Sequence, residues 1–192
     1  MPLTKINNRS LSGNLTSSQI AIAKTNLPAG SVIQTKSKFL KPGVDFSGDV
    51  ATTSSSYIDL AGNVTGALLE VSLTDIQATS HLIFTYFAPM FSNGSNEALY
   101  NIYETVSGTY AANTTIYPGA NATEVTVAAQ WDNDVRGGGY GFTHIAEVGQ
   151  FTGNCTFRVR IKNRGSSSGS GIYWHWWSNR TGQNFTVQEI AG

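Results

Sequence analysis

From Gly30 onward, apolar positions recur at every second residue in short runs, and not at every third or fourth. In the run from Cys155 to Lys162, Cys155, Phe157, Val159 and Ile161 take one side, and Thr156, Arg158, Arg160 and Lys162 the other. A period of two is the signature of a strand with one buried face. This segment is therefore predicted as a half-buried strand with a basic outer face. From Glu124 to Trp131, Val125, Val127, Ala129 and Trp131 oppose Glu124, Thr126, Ala128 and Gln130. Such a polar face beside a basic one would suit cross-strand pairing. Further strands are predicted at 31–35, 57–60, 67–73, 81–87, 99–106, 141–148, 172–178 and 184–190. Turn signals punctuate them at Asn93-Gly94, Pro118-Gly119, Gly137-Gly138-Gly139 and 165–171. Many short strands with turn signals and no strong helical pattern predict an all-β antiparallel sandwich or barrel.

The first 29 residues do not follow this pattern. Leu3, Ile6, Leu11 and Leu15 are spaced by Asn, Ser, Thr and Gly, too sparsely to build a core. They read as an arm at 1–29 ahead of a β-sandwich domain at 30–192. A short helical turn is expected from Ser17 to Lys24, with Ser17 or Ser18 as N-cap, and Leu27-Pro28-Ala29-Gly30 closes the arm as a turn. An arm of this kind gains order by lying on another surface. Its basic and apolar side chains Lys5, Arg9, Leu11, Leu15 and Lys24 are the candidates for docking.

The run Ile172-Tyr173-Trp174-His175-Trp176-Trp177 has apolar character on both faces. One face holds Ile172, Trp174 and Trp176, the other Tyr173, His175 and Trp177, and a sandwich buries only one. Large exposed apolar patches are uncommon on soluble monomers and usually functional. Three readings stand open: a subunit interface, cover by a loop or by the arm, and an aromatic platform for sugar. Tyr173, His175 and Trp177 are the candidates for the interface. Trp131, Tyr140, Trp174 and Trp176 are the candidates for receptor or glycan contact.

Charge alters the picture by its placement. The chain of 192 residues has 12 basic and 12 acidic residues, and only 12% of positions are charged, about half the usual share. Residues 1–41 carry six basic residues and no acid, 42–135 ten acids and no Lys or Arg, and 136–192 six basic residues against Glu147 and Glu189. Either these segments meet within one fold or across a homo-oligomer, or the basic arm docks on a different, acidic partner. The basic row Arg158, Arg160, Lys162 and Arg164 reads as a solvated face, as one side of intersubunit pairing, or as a binder of phosphate or acidic sugar. Zero net charge gives no global case for nucleic acid. No apolar run approaches a membrane span, so no membrane insertion is expected. The start Met1-Pro2-Leu3-Thr4-Lys5 has no hydrophobic core and does not read as a secretory signal.

Candidate chemistry is thin. One cysteine, Cys155, rules out a disulfide framework. No HExxH, GxSxG or phosphate-loop pattern occurs. The run Gly137-Gly138-Gly139-Tyr140-Gly141 lacks a helix after it and reads as a hairpin or surface loop. His144 and Glu147 fall on opposite faces of a strand. Pairs among Glu97, Glu104, Glu124 and Asp132 would serve glycoside hydrolysis, but any sandwich with twelve acids offers such pairs. Asp132-Asn133-Asp134 opens like a calcium loop, yet Thr143 stands where the bidentate Glu belongs. His81, His144 and His175 have no ligand spacing. No catalytic residue, metal or cofactor is expected. Nine asparagines (Asn8, Asn14, Asn63, Asn93, Asn113, Asn121, Asn154, Asn179 and Asn184) head N-x-S/T triplets and read as turn and strand-end chemistry.

Both chain ends carry a resemblance. Asn7-Asn8-Arg9-Ser10-Leu11-Ser12, then Leu27-Pro28-Ala29-Gly30-Ser31-Val32-Ile33-Gln34, resembles the opening of small β-rich virion surface proteins of marine tailed bacteriophages. Ser54-Ser55-Ser56-Tyr57-Ile58-Asp59-Leu60 resembles their second-strand segment, and Phe185-Thr186-Val187-Gln188-Glu189-Ile190-Ala191-Gly192 their final strand. The likeness is loose in the middle. It implies a jelly-roll-like sandwich, often a homotrimer, held to a capsid or tail protein through its N-terminus. A capsid decoration or a short tail fibre engaged in host attachment, on the virion surface and made in the host cytoplasm, is the expectation. Contact with a host-surface glycan is a further one. A cellular carbohydrate-binding module is the alternative, and a glycan-cleaving enzyme a third.

Overall fold

Alternation in the sequence becomes pairing in space. The computed structural model describes residues 27–48, 50–92, 97–106, 114–117, 125–129, 136–163, 172–175 and 182–192. Among these residues there are twelve strands and no helix. The first six are β1 (Val32–Leu40), β2 (Val50–Thr52), β3 (Ile58–Asp59), β4 (Glu70–Ile76), β5 (His81–Ser92) and β6 (Glu97–Val106). The rest are β7 (Thr114–Tyr117), β8 (Val125–Ala129), β9 (Arg136–Ile145), β10 (Gly153–Asn163), β11 (Ile172–His175) and β12 (Gln183–Ile190).

Eight of them form a nested set of antiparallel pairs. β1 pairs with β12, β4 with β10, β5 with β9, and β6 with β8. First meets last, second meets next to last, and so inward, as in one long hairpin. Rolling that hairpin up adds two further pairings, β12 with β5 and β10 with β6. One sheet then runs β1-β12-β5-β9 and the other β4-β10-β6-β8. This is the topology of a jelly roll, as the chain ends led us to expect. The short strands extend these sheets. β9 takes one side of β5, so β12 and then β11, with β2 beyond it, share the other. β3 follows β4 along β10, and β7 follows β8 along β6.

The space between the sheets is filled by aromatic side chains. Phe84 of β5 meets Phe157 of β10 edge-on at 5.0 Å, and Phe151, from the β9–β10 connection, meets Phe157 at 5.3 Å. Phe185 of β12 stacks on Phe84 at 6.4 Å. All four rings are buried, together with Tyr86, Leu73, Leu82, Val159 and Ile161. Each such side chain contributes about 1.5–3 kcal/mol by leaving water. Edge-on aromatic geometry adds to that.

Several boundaries differ from the sequence reading. β1 runs on to Leu40 through Lys36, Ser37 and Lys38, which break the apolar alternation. β2 and β7 had no legible pattern. The glycine run is the main correction: Gly137, Gly138, Gly139 and Gly141 form no displayed loop but lie within β9, in register with Phe91, Met90, Pro89 and Phe87. The reason is steric at Gly141, where a Cβ would lie 2.7 Å from the Tyr86 carbonyl oxygen. Glycine in a strand commonly marks such a close approach. The turn at 27–30 is as expected: Ser31 N–H donates to Pro28 O at 3.0 Å, and Gly30 takes a φ of 84°. The rest of the arm, including Lys5, Arg9, Leu11, Leu15, Lys24 and the expected turn from Ser17, lies outside the described residues.

Candidate functional site

With the interior filled, function falls to the outer faces. On the first sheet, register sorts the side chains into rungs four strands wide. Phe39, Asn184, Phe87 and Gly141 form one outward rung. Ser37, Thr186, Thr85 and Thr143 form the next, and Thr35, Gln188, Ile83 and Ile145 the third. None of these twelve residues is charged. Phe39, Phe87 and Ile145 are 49%, 55% and 60% exposed, and the hydroxyls of Ser37 and Thr186 share a hydrogen bond of 2.8 Å. Where Gly141 withholds a side chain, a shallow depression opens, lined by Thr85, Tyr86, Phe87, Gly141 and Thr143.

The charges of these strands follow the other parity. The exposed Lys36 and the half-buried Lys38 are in register with the buried Val187 and Phe185, so on edge strand β1 they take the inward parity. Glu189 is fully buried, and its carboxylate accepts from Gln34 Nε2 at 2.6 Å and from the Gln77 backbone N–H at 2.8 Å. Gln34 also donates to Thr74 O of β4 at 2.8 Å. The acid therefore ties β12 to β1 and to the β4–β5 turn. Sequence reading left Glu189 unassigned; an acid on the apolar parity of a strand was the available signal.

The outer face of the second sheet is charged and closed on itself. Arg158 donates to Glu70 at 2.5 Å and to Asp59 at 3.0 Å, and Arg160 lies 3.6 Å from Asp59. Arg160 also donates to Tyr57 O at 2.8 Å, and Lys162 stands 4.8 Å from the Tyr57 ring centre. Burial pulls the Arg158 guanidinium down. The hydrogen bond and charge of Glu70, with those of Asp59, outweigh it and hold the group above its ordinary value. This corrects the reading of Arg158 and Arg160 as a solvated face: acidic middle segment and basic C-terminal segment meet within one fold. The partners come from β3 and β4; the polar-faced strand β8 lies against β6. Elsewhere Asp45 is held below the usual carboxylate range by the Lys41 backbone N–H, the Thr65 hydroxyl and the charges of Lys38 and Lys41.

Among the candidates on β11, Tyr173 is in register with Phe91 of β5 and Ala51 of β2, and His175 with Val50. Trp174 lies between them in the strand, and Tyr140 of β9 is in register with Ala88. β11 thus belongs to the sheet that carries the uncharged face. Trp131, Trp176, Trp177, Arg164 and the glycine-rich 165–171 stretch lie outside the described residues. Two of the triplet asparagines act locally: Asn63 brackets Ser47 with two hydrogen bonds, and Asn154 accepts from Asp75 N–H.

No family model matches the chain, and no curated protein does. Solved structures with similarity include one of the infectious bursal disease virus Gx strain, 10% identical, with 84% of this chain and 43% of that one covered at a TM-score of 0.35. Another is the crystal structure of the infectious bursal disease virus VP2 subviral particle, 13% identical, with 84% and 38% covered at a TM-score of 0.35. The chain spans less than half the length of either viral chain. Neither is a tailed-phage protein.

Proposed function

We propose that this protein is a non-enzymatic virion structural subunit, a capsid decoration or a short tail fibre, that works by contact. The observation that carries this reading is a jelly roll whose interior is filled with aromatic rings and whose first sheet presents a broad, charge-free outer face. Jelly rolls of this size serve capsids and lectins alike, so the site and not the fold has to decide. In this reading the arm at 1–29 attaches the subunit to a capsid or tail partner through Lys5, Arg9, Leu11, Leu15 and Lys24. The domain joins copies of itself, as a homotrimer in the phage-like case, and loops face the host. Gold-labelled antibody on purified particles tests it by electron microscopy: label over the head assigns a decoration, label at the tail a fibre. Particles without label would remove the virion role.

One observation favours carbohydrate binding as a second reading. The depression beside Phe87 joins an exposed aromatic ring to the hydroxyls of Thr85 and Thr143, the pairing of apolar surface and hydrogen-bonding groups that sugars take. Removal of residues 1–29 separates the two readings. A lectin keeps its glycan binding without the arm, whereas a decoration loses its attachment.

A further inference from the structure

We infer that the outer face of the first sheet is the contact between copies of this chain, two sheets packing face to face. This rests on the reading of the protein as an assembling subunit, with a two-fold pair in place of the phage-like homotrimer, and it moves the contact from the aromatic strand alone to the whole sheet.

Three observations carry it. The first is self-complementarity. The central rung is Ser37, Thr186, Thr85 and Thr143, and a hydroxyl both donates and accepts. Two identical hydroxyl rows can therefore satisfy each other, as Ser37 and Thr186 already do within one copy. A charged partner would find no counter-charge among the outward residues, while an identical copy meets no like-charge repulsion. Depletion of charge with exposed Phe and Ile is the composition of an interface centre.

The second is the state of the edge. β1 is one edge of the sheet and carries Lys36 and Lys38 at its inward parity, and lysines on an edge strand discourage strand addition. Growth by strand addition at this edge is thereby disfavoured, and packing of the two faces with two-fold symmetry does not use it.

The third is area. Four strands about 4.8 Å apart, paired over seven residues about 3.4 Å each, give roughly 450 Å² of flat face. A stable contact covers about 800 Å² per partner. The remainder is available along the same sheet, where β5 runs past β12 to pair with β11, and β11 in turn with β2. The contact therefore reaches the strand of Tyr173 and His175.

The test is the mass of the full chain in solution by light scattering after gel filtration. Wild type is expected to be a dimer. Thr85→Arg and Thr143→Glu, exposed substitutions on two different strands, are expected to reduce it to monomer with the circular dichroism spectrum unchanged. Ser72→Arg, exposed on the second sheet, is expected to leave the mass as it was. A wild-type oligomer that both first-sheet variants retain would overturn this inference and leave the assembly role standing on another contact. A wild-type monomer at its highest soluble concentration also overturns it. Glycan binding by that monomer, lost in Thr85→Arg, would assign the face to sugar.

Discussion

The two outer faces of the sandwich are built by the same alternation and filled in opposite ways. On the second sheet, Arg158 sits between Glu70 and Asp59, and Arg160 shares Asp59, so the charges are spent within the chain. On the first, the outward residues carry hydroxyl, amide and apolar groups, while Glu189, Lys36 and Lys38 take the inward parity. One face is stitched shut by pairs drawn from distant segments. The other is kept clear of anything that would repel a copy of itself. A near-zero net charge thus conceals a division of labour between sheets.

The largest effect is expected where the first sheet hides its acid. Glu189→Ala removes the acceptor for the Gln77 N–H and for Gln34, and leaves a small void. A buried donor without a partner, added to the lost packing, costs about 3 kcal/mol. Urea unfolding measures this directly, and a loss below about 1 kcal/mol would show that the clamp does not hold β1 and the β4–β5 turn. Next comes Gly141→Ala on the open face. Its methyl would press on the Tyr86 carbonyl at 2.7 Å and force β9 from β5, for about 2 kcal/mol. An unchanged urea midpoint would mean that β9 shifts without strain.

The closed face gives a smaller number. Arg158 and its two acids are each about a third exposed, so water and salt screen them. A double-mutant cycle on Arg158→Ala and Glu70→Ala is expected to give a coupling of about 1 kcal/mol, reduced in concentrated salt. Coupling that is absent at low salt would return Arg158 to the solvated state that its strand position alone suggests.

Much of this was legible from residue order. The alternation of Cys155, Phe157, Val159 and Ile161 against Arg158 and Arg160 set the faces of β10 correctly, because a period of two leaves no freedom once one face is buried. All-β architecture followed from the same pattern. Which strands touch did not, since pairing is a non-local matter: nothing near Arg158 names Glu70 or Asp59, 88 and 99 residues away. The glycines of β9 misled because the constraint that selects Gly141 is a carbonyl on another strand. The uncharged face escaped notice for a related reason. Its rungs draw on four strands far apart in the chain, and none of them looks unusual alone. Its trace was only the absence of charge from 81–92 and from the outward positions of β12.

The smallest effect concerns the boundary between inside and outside on β9. His144 turns inward between the exposed Thr143 and Ile145, and its ring stacks on Phe84 at 6.0 Å. Burial lowers its pKa from the ordinary 6.5. Well above pH 6.5 the ring is neutral in both folded and unfolded chains, and its titration adds nothing. As pH falls below 6.5 the unfolded chain binds the proton first, so stability declines until the lower folded pKa is reached. Asp45 acts in a separate, more acidic window: its lowered pKa contributes stability above 3.8 that is lost as pH falls through the folded value. His144→Phe would remove the upper decline and leave the lower one. Melting curves between pH 8 and pH 5 on both proteins decide the matter. A decline of equal size in the variant would place its source in another group and show that the inward face of β9 tolerates a charged ring.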